Sequence, residues 1–269
     1  MRRSVLLIII LTLFYTGQTA AQEEPADVPG NDKLFSLGIG VGYSFIGYRE
    51  ETDLPLNRYI NSLFIALEGR IERDNFLYLS NIGFFYGKNN AIEIDANEDF
   101  FIFYQKKSEF FKLYLENALD YKLWGSSNFP GYLGGAFRGN VYINHLPQTV
   151  YFGVTAAISL NLHVTQKWII NSENLFIFSA SVPVFGYAVR PPYYGLLYSP
   201  LDMDNRITSL HNYLAVFGDL KYQYKLSTLS DASDIFLYAG IGFEFSRISF
   251  PQPRNDALVR INGGLICSF

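Results

Sequence analysis

Ser159-x-Asn161-x-His163 places three polar side chains at alternating positions, and it is the first place in this sequence where chemistry could be done. A serine becomes a nucleophile when a histidine within hydrogen-bond reach takes its proton. In an extended strand, residues two apart project to the same side about 7 Å from one another, so Ser159 and His163 stand about twice that apart and do not touch. A Ser-His site would need the rest of its constellation from a neighbouring strand, with Glu173 as a candidate. Polar residues lining a wet interior explain the same pattern without catalysis, so no catalytic residue is assigned.

Metal and nucleotide chemistry find less support. His145, His163 and His211 lie on separate segments, and none has a second ligand at a recognised spacing. Asp202-x-Asp204-Asn205 resembles part of a calcium loop but lacks the remaining ligands and the turn glycine. Gly38-x-Gly40-x-Gly42 alternates strictly, with no helix to follow, and is therefore not a dinucleotide fingerprint. These glycines leave room for a plug, a narrow pore or neighbouring side chains. No cofactor and no metal is expected.

The elements that must position such residues are strands. In Phe35 to Phe45 the odd positions are large and apolar, whereas the even ones are Gly or Ser. Phe111 to Leu123 sets Phe, Leu and Tyr against Lys112, Glu116, Asp120 and Lys122, and Val150 to Val164 sets apolar residues against Asn161, His163 and other largely small or polar groups. Ile235 to Phe245 alternates against Glu244, and Leu214 to Tyr224 against Asp219 and Lys221. Period 2 means two faces, one greasy and one polar. Less regular strands are read over Tyr59 to Glu72, Phe76 to Gly87, Phe100 to Lys107, Tyr132 to His145 and Trp168 to Tyr187, with Arg138 and Asn140 among their polar positions.

Composition decides which face meets what. Aromatic residues make up 17% of the chain and charged residues only 17%, with a mean hydropathy of +0.09. That is too little charge to coat the outside of a soluble lipocalin-like barrel, whose apolar residues would face inward. A net charge of -4 gives no basic footprint, and nucleic acid is dropped as a partner. No stretch reaches 18 consecutive apolar residues, which excludes membrane helices, and the lone Cys267 excludes an internal disulfide. The fold expected is all-β: a closed antiparallel up-and-down transmembrane β-barrel. Eleven readable strands conflict with the even count that a closed meander needs, so twelve are expected, with ten longer strands as the alternative.

Met1-Arg2-Arg3, the apolar run Val5 to Phe14 and the small residues Thr19-Ala20-Ala21 have the layout of a signal peptide over residues 1–21, cleaved before Gln22. Residues 22–33, with Pro25, Pro29 and Gly30, read as a disordered lead-in to a single barrel domain over 34–269. Longer polar stretches at Arg49 to Arg58, Lys88 to Asp99 and Arg190 to Ser209 are candidate external loops.

The last strand carries the most specific signal. Val259, Ile261, Leu265, Cys267 and Phe269 share one face, and the sequence ends on an aromatic residue. In this the chain resembles bacterial outer-membrane β-barrel proteins as a general class. The resemblance implies an outer-membrane location, contact with outer-membrane lipids, and handling by the barrel-assembly machinery with Phe269 as part of its recognition signal. Cys267 departs from the usual ending, where an aromatic or aliphatic residue stands.

Three functional classes follow. In a pore for small solutes, Lys112, Glu116, Asp120, Arg138, Asn140, Asn161, His163, Asp219, Lys221 and Glu244 would line the lumen and set its field. In a structural or binding barrel, surface loops carry the role, and inward charges that pair across the lumen would favour this class. The Tyr- and Pro-rich stretch from Arg190 through Tyr193 and Tyr194 to Arg206 is its leading contact site. The third class is an outer-membrane lipid hydrolase. The solute or partner is not specified by the sequence.

Overall fold

The computed structural model describes residues 35–50, 56–73, 75–90, 107–145, 152–190, 204–209, 212–230, 233–249 and 254–269. The signal-peptide and lead-in readings lie outside these residues. The strands are β1 (Phe35–Glu50), β2 (Leu56–Arg73), β3 (Phe76–Asn90), β4 (Lys107–Trp124), β5 (Gly131–His145), β6 (Phe152–Ile169), β7 (Asn174–Arg190), β8 (Asp204–Ser209), β9 (Tyr213–Ser230), β10 (Ser233–Ile248) and β11 (Arg254–Ser268).

Each strand pairs antiparallel with its neighbour, and β1 pairs with β11 from Ser36↔Ser268 to Glu50↔Arg254. This pairing and that of β6 with β7 close a cycle of ten strands, β1 to β7 and then β9, β10 and β11, with β8 as an additional strand outside it. The expected count of twelve is therefore corrected to ten. The supposed strand Phe100 to Lys107 contributes only Lys107 to a described strand, and β3 pairs directly with β4, from Asn90↔Lys107 to Phe76↔Tyr121. The ten are long, 15–18 residues each, which uses chain that the sequence reading had divided more finely.

Register fixes the barrel's shape. Following paired residues from Thr165 through Ser179, Asp219, Gly242, Arg260, Ser44, Ser62, Gly87, Phe110 and Asn144 returns to β6 at Gly153, a stagger of 12 residues (165 − 153). Such a stagger over ten strands tilts them about 40° from the axis, within the usual range for barrels. Both described ends of the sheet, Phe35 and Phe269, exchange backbone hydrogen bonds of 3.3 and 2.8 Å at one end of the barrel, here called the terminal end. The connections β2–β3, β4–β5, β6–β7 and β9–β10 turn at that end. The longest intervals between strands, 91–106 and 191–203, leave from the opposite, loop end.

The segment Trp168 to Tyr187 fails to alternate for two reasons. It holds the end of β6, a turn over 170–173 and most of β7. Within β7 the register with β6 slips between Leu160↔Phe185 and Asn161↔Pro183, leaving Val184 and Phe185 both exposed in succession. Proline has no N–H for the ladder, and a bulge is where a strand tolerates it. Beyond this bulge β7 pairs with β8 rather than β9, from Phe185↔Ser209 to Arg190↔Asp204. Part of the stretch read as the Arg190 to Ser209 loop is thus strand. Asn212 joins β8 to β9: its side-chain oxygen accepts from the Ser209 N–H at 2.8 Å and its carbonyl from the Ser249 N–H at 2.9 Å.

The two faces are sorted as the alternation required. Leu37, Ile39, Val41, Leu63, Ile65, Leu160 and Ile261 are exposed on the outside, while Ser36, Ser44, Lys112, Asp120, Arg138 and Glu244 are buried inside. A soluble barrel would show the reverse.

Candidate functional site

Ten strands enclose an interior that side chains can nearly fill, because an eight-stranded barrel is already full and only much larger ones leave an aqueous channel. The inward rows here carry charge, and burying charge is tolerated only when it is paired and hydrogen-bonded.

The pairing runs across the lumen. Glu244 on β10 takes Lys112 Nζ of β4 at 2.6 Å and Arg138 of β5 at 3.1 Å on one oxygen, and the Tyr142 hydroxyl at 2.7 Å on the other. Arg138 also holds Glu116 at 2.6 Å, which in turn accepts from the Ser181 hydroxyl at 3.0 Å. Aromatic rings cap the cations: Arg138 lies 3.8 Å from the Phe217 ring centre and 4.8 Å from that of Tyr114, and Lys112 lies 4.8 Å from that of Tyr142. Lys112, Arg138 and Glu244 are each at most 4% exposed. An apolar cluster including Ile60, Phe64, Phe85, Phe110, Tyr142 and Leu258 packs beside them.

Towards the terminal end the ion pairing continues, both across the lumen and between strands two apart. Lys221 pairs with Glu68 at 2.5 Å, Arg260 pairs with Asp219, and Lys167 pairs with Glu72, whose other oxygen accepts from the Tyr132 hydroxyl at 2.7 Å. Asp120 on β4 takes both His163 Nδ1 at 2.7 Å and the Thr165 hydroxyl at 2.9 Å from β6. A cavity of about 80 Å³ lies between this region and the Arg138 layer.

All ten residues proposed for the lumen stand on the inner wall. Lys112, Asp120, Arg138, Asn140, Asn161, His163 and Glu244 are buried, while Glu116, Asp219 and Lys221 line the cavity. The structure brings Lys112, Glu116, Arg138 and Glu244 into one cluster and Asp120 and His163 into another. Asn161 donates to the Ser181 hydroxyl at 3.3 Å and contacts neither cluster's charges through a hydrogen bond. Of the Ser159, Asn161 and His163 constellation, only His163 meets a charged partner. That partner is Asp120, whereas Glu173 sits exposed in the β6–β7 turn.

Sequence reasoning missed Glu68, Glu72, Tyr142, Lys167 and Arg260. The signal was present: Arg260 lies between the outward residues Val259 and Ile261, and Glu68 and Glu72 share the inward phase of β2 with Phe64. The loop candidates Tyr193 and Tyr194, together with Asp202 of the partial calcium loop, lie outside the described residues. Arg190 and Arg206 are placed by backbone alone, at Arg190↔Asp204 and Ala188↔Arg206 in the β7–β8 pair. Among the described residues no group of three or more His, Cys, Asp or Glu side chains is arranged to hold a metal. Phe269 is exposed at the terminal end, its ring stacked on that of Phe35 with centroids 6.3 Å apart.

No known protein family and no curated protein matches the sequence. Solved structures do match. The outer-membrane protease OmpT from Escherichia coli aligns over 91% of this chain and 99% of its own, with a TM-score of 0.56 at 7% identity. The toluene transporter TodX of P. putida aligns over 89% and 90% with a TM-score of 0.34 at 9% identity. Ail, the attachment invasion locus protein of Yersinia pestis, aligns over 87% and 99% with a TM-score of 0.31 at 8% identity. At such identities the likeness speaks for the fold alone, and the fold of this chain is that of bacterial outer-membrane β-barrel proteins.

Proposed function

We propose that this protein is an integral outer-membrane barrel whose lumen is sealed by ion pairs and which acts through its loop end, as a binding or structural protein rather than an open pore. Membrane residence is supported by the outer surface. The outward row of β1 runs ten steps from Phe35 to Phe45, which at a tilt of about 40° spans roughly 25 Å, the height of an outer-membrane barrel's apolar band. Aromatic pairs flank that band, with Phe76–Tyr121 and Phe176–Tyr222 towards the terminal end and Tyr86–Phe111 and Tyr43–Phe45 towards the loop end.

Sealing is carried by one observation: from the opposite wall Glu244 accepts three hydrogen bonds, one each from Lys112, Arg138 and Tyr142. A wide, hydrated pore would leave its lining charges to water. The loop end is then the contact surface, with Tyr193 and Tyr194 in the connection 191–203 and Arg190 and Arg206 on the strands β7 and β8 that flank it. Lipid hydrolysis remains the less supported reading, because the Asp120–His163 pair is buried in the lumen and no serine hydroxyl is hydrogen-bonded to His163 among the described residues.

The test is single-channel recording of the refolded protein in a planar bilayer, with heat-modifiable gel mobility confirming that it has folded. The expected result is folded protein with no steady conductance, and intermittent openings on Glu244→Gln. Stable, ion-selective steps in the unmodified protein would replace this reading with a pore. Hydrolysis of phospholipid lost on His163→Ala would replace it with an enzyme.

A further inference from the structure

We propose that the terminal-side half of the lumen binds one small oxyanion, of carboxylate or phosphate size, with Arg70 as the cation that recognises it. The cavity reaches from Ser36, Arg70 and Ile266, close to the terminal ends of their strands, up to the roof formed by Arg138, Tyr114 and Phe217. One water needs about 10–15 Å³ of such space, so about 80 Å³ takes several waters or one small ion.

The charges on its wall are unevenly spent. Glu68, Glu116 and Asp219 are engaged by Lys221, Arg138 and Arg260 respectively. Arg70 is the fourth cation on the wall, and among the described residues it has no carboxylate within ion-pair distance. Its guanidinium donates only to the Ser36 hydroxyl, at 3.3 Å. Four cations and three carboxylates stand on the wall itself, with Glu72 two residues beyond Arg70 on β2 and Asp120 behind His163 as carboxylates just outside it. Arg70 is thus the wall cation whose guanidinium is left to meet an entering anion, and low-dielectric walls strengthen that attraction. His163 lines the same space, and with Nδ1 held by Asp120 its Nε2 is the ring nitrogen left for an occupant.

The site is independent of the seal: binding is measured in detergent, where conductance plays no part, and an open pore would overturn the sealed-barrel reading alone. Refolded protein is titrated calorimetrically with inorganic phosphate and, separately, with acetate, in chloride at constant ionic strength. Saturable one-to-one binding is expected with at least one of them, and the stronger ligand identifies the class. Arg70→Gln should weaken it at least tenfold while heat-modifiable mobility persists. Ser179→Leu, which fills the cavity and keeps Arg70, should abolish it and carries the test if Arg70→Gln does not fold. No saturable heat with either anion, or an affinity unchanged by Arg70→Gln or by Ser179→Leu in folded protein, would overturn the proposal.

Discussion

Glu244 Oε2 lies 2.6 Å from Lys112 Nζ, although β10 and β4 stand half the ten-strand cycle apart. The ion pair therefore spans the barrel's width instead of joining neighbours on one wall. Because both side chains are fully desolvated, each is tolerated only through the other and through Arg138 and Tyr142. The interior is held together by contacts between residues distant in sequence, while the sheet around it is held by neighbouring hairpins.

Removing both members of the closest pair should cost less than the two single removals added together. Glu244→Ala leaves Lys112 and Arg138 facing each other without their shared carboxylate, and a loss of about 3–5 kcal/mol is expected. Lys112→Met combined with Glu244→Leu removes both charges of the closest pair and should lose clearly less than the sum of the single changes. Urea unfolding in detergent, followed by tryptophan fluorescence, provides the comparison. Strictly additive losses would mean that the cross-lumen pair contributes no coupling.

The glycines of β1 make room for residues of the nearby strands β10 and β11. A Cβ added at Gly40 would overlap the Tyr238 hydroxyl, and one at Gly42 would meet the Ile261 carbonyl and Asn262. Of the three roles that sequence left open for Gly38-x-Gly40-x-Gly42, space for neighbouring side chains is the one seen. Gly40→Ala is expected to destabilise by about 1–3 kcal/mol through overpacking. Tyr238→Phe deletes the overlapping oxygen and should recover part of the loss when combined with Gly40→Ala. Thermal unfolding of the four proteins completes the cycle, and no recovery would assign the cost to the backbone instead.

Strand phase was legible wherever the two faces differ in chemistry, as in Phe35 to Phe45 and Val150 to Val164, because alternation is a local property. Strand number was not, because Phe100 to Lys107 has strand-like composition but lies between two segments that pair directly with each other. Pro183 broke the phase of β7 through a bulge whose position depends on β6, and Asn212 ends β8 through contacts with Ser209 and Ser249. The inward charges could be picked out one by one. Which of them meet was hidden, since Glu68–Lys221 and Lys112–Glu244 depend on strand number and stagger together.

Charge should be rejected on the outer face. Ile158 and Leu160 are about half exposed among apolar neighbours, so Ile158→Arg and Leu160→Arg should each cost roughly 2–4 kcal/mol in a bilayer if they lie near its midplane. Sequence alone predicts that Asn161→Arg is milder. The filled lumen changes that expectation, because Asn161 is 4% exposed and packed against Ser181, leaving little space for a longer side chain. Asn161→Ser is the appropriate inner-face control and should be nearly neutral. The outer-face penalty should shrink in detergent, which lets water reach the guanidinium. Equal losses in detergent and lipid vesicles would argue that Ile158 and Leu160 do not face lipid.

Phe269 separates a folding role from an assembly role. Its backbone N–H donates to the Phe35 carbonyl at 2.8 Å and its carbonyl accepts from the Phe35 N–H at 3.3 Å. Phe269→Ser keeps that backbone exchange and removes only the ring, whose stacking on Phe35 contributes about 1 kcal/mol. Refolding from urea into detergent should therefore be almost unchanged. If assembly machinery reads the aromatic ring at 269, the same change should lower the heat-modifiable fraction in cell envelopes severalfold, and Phe269→Tyr should restore it. Parallel, small losses in both assays would reduce Phe269 to one more member of the aromatic girdle.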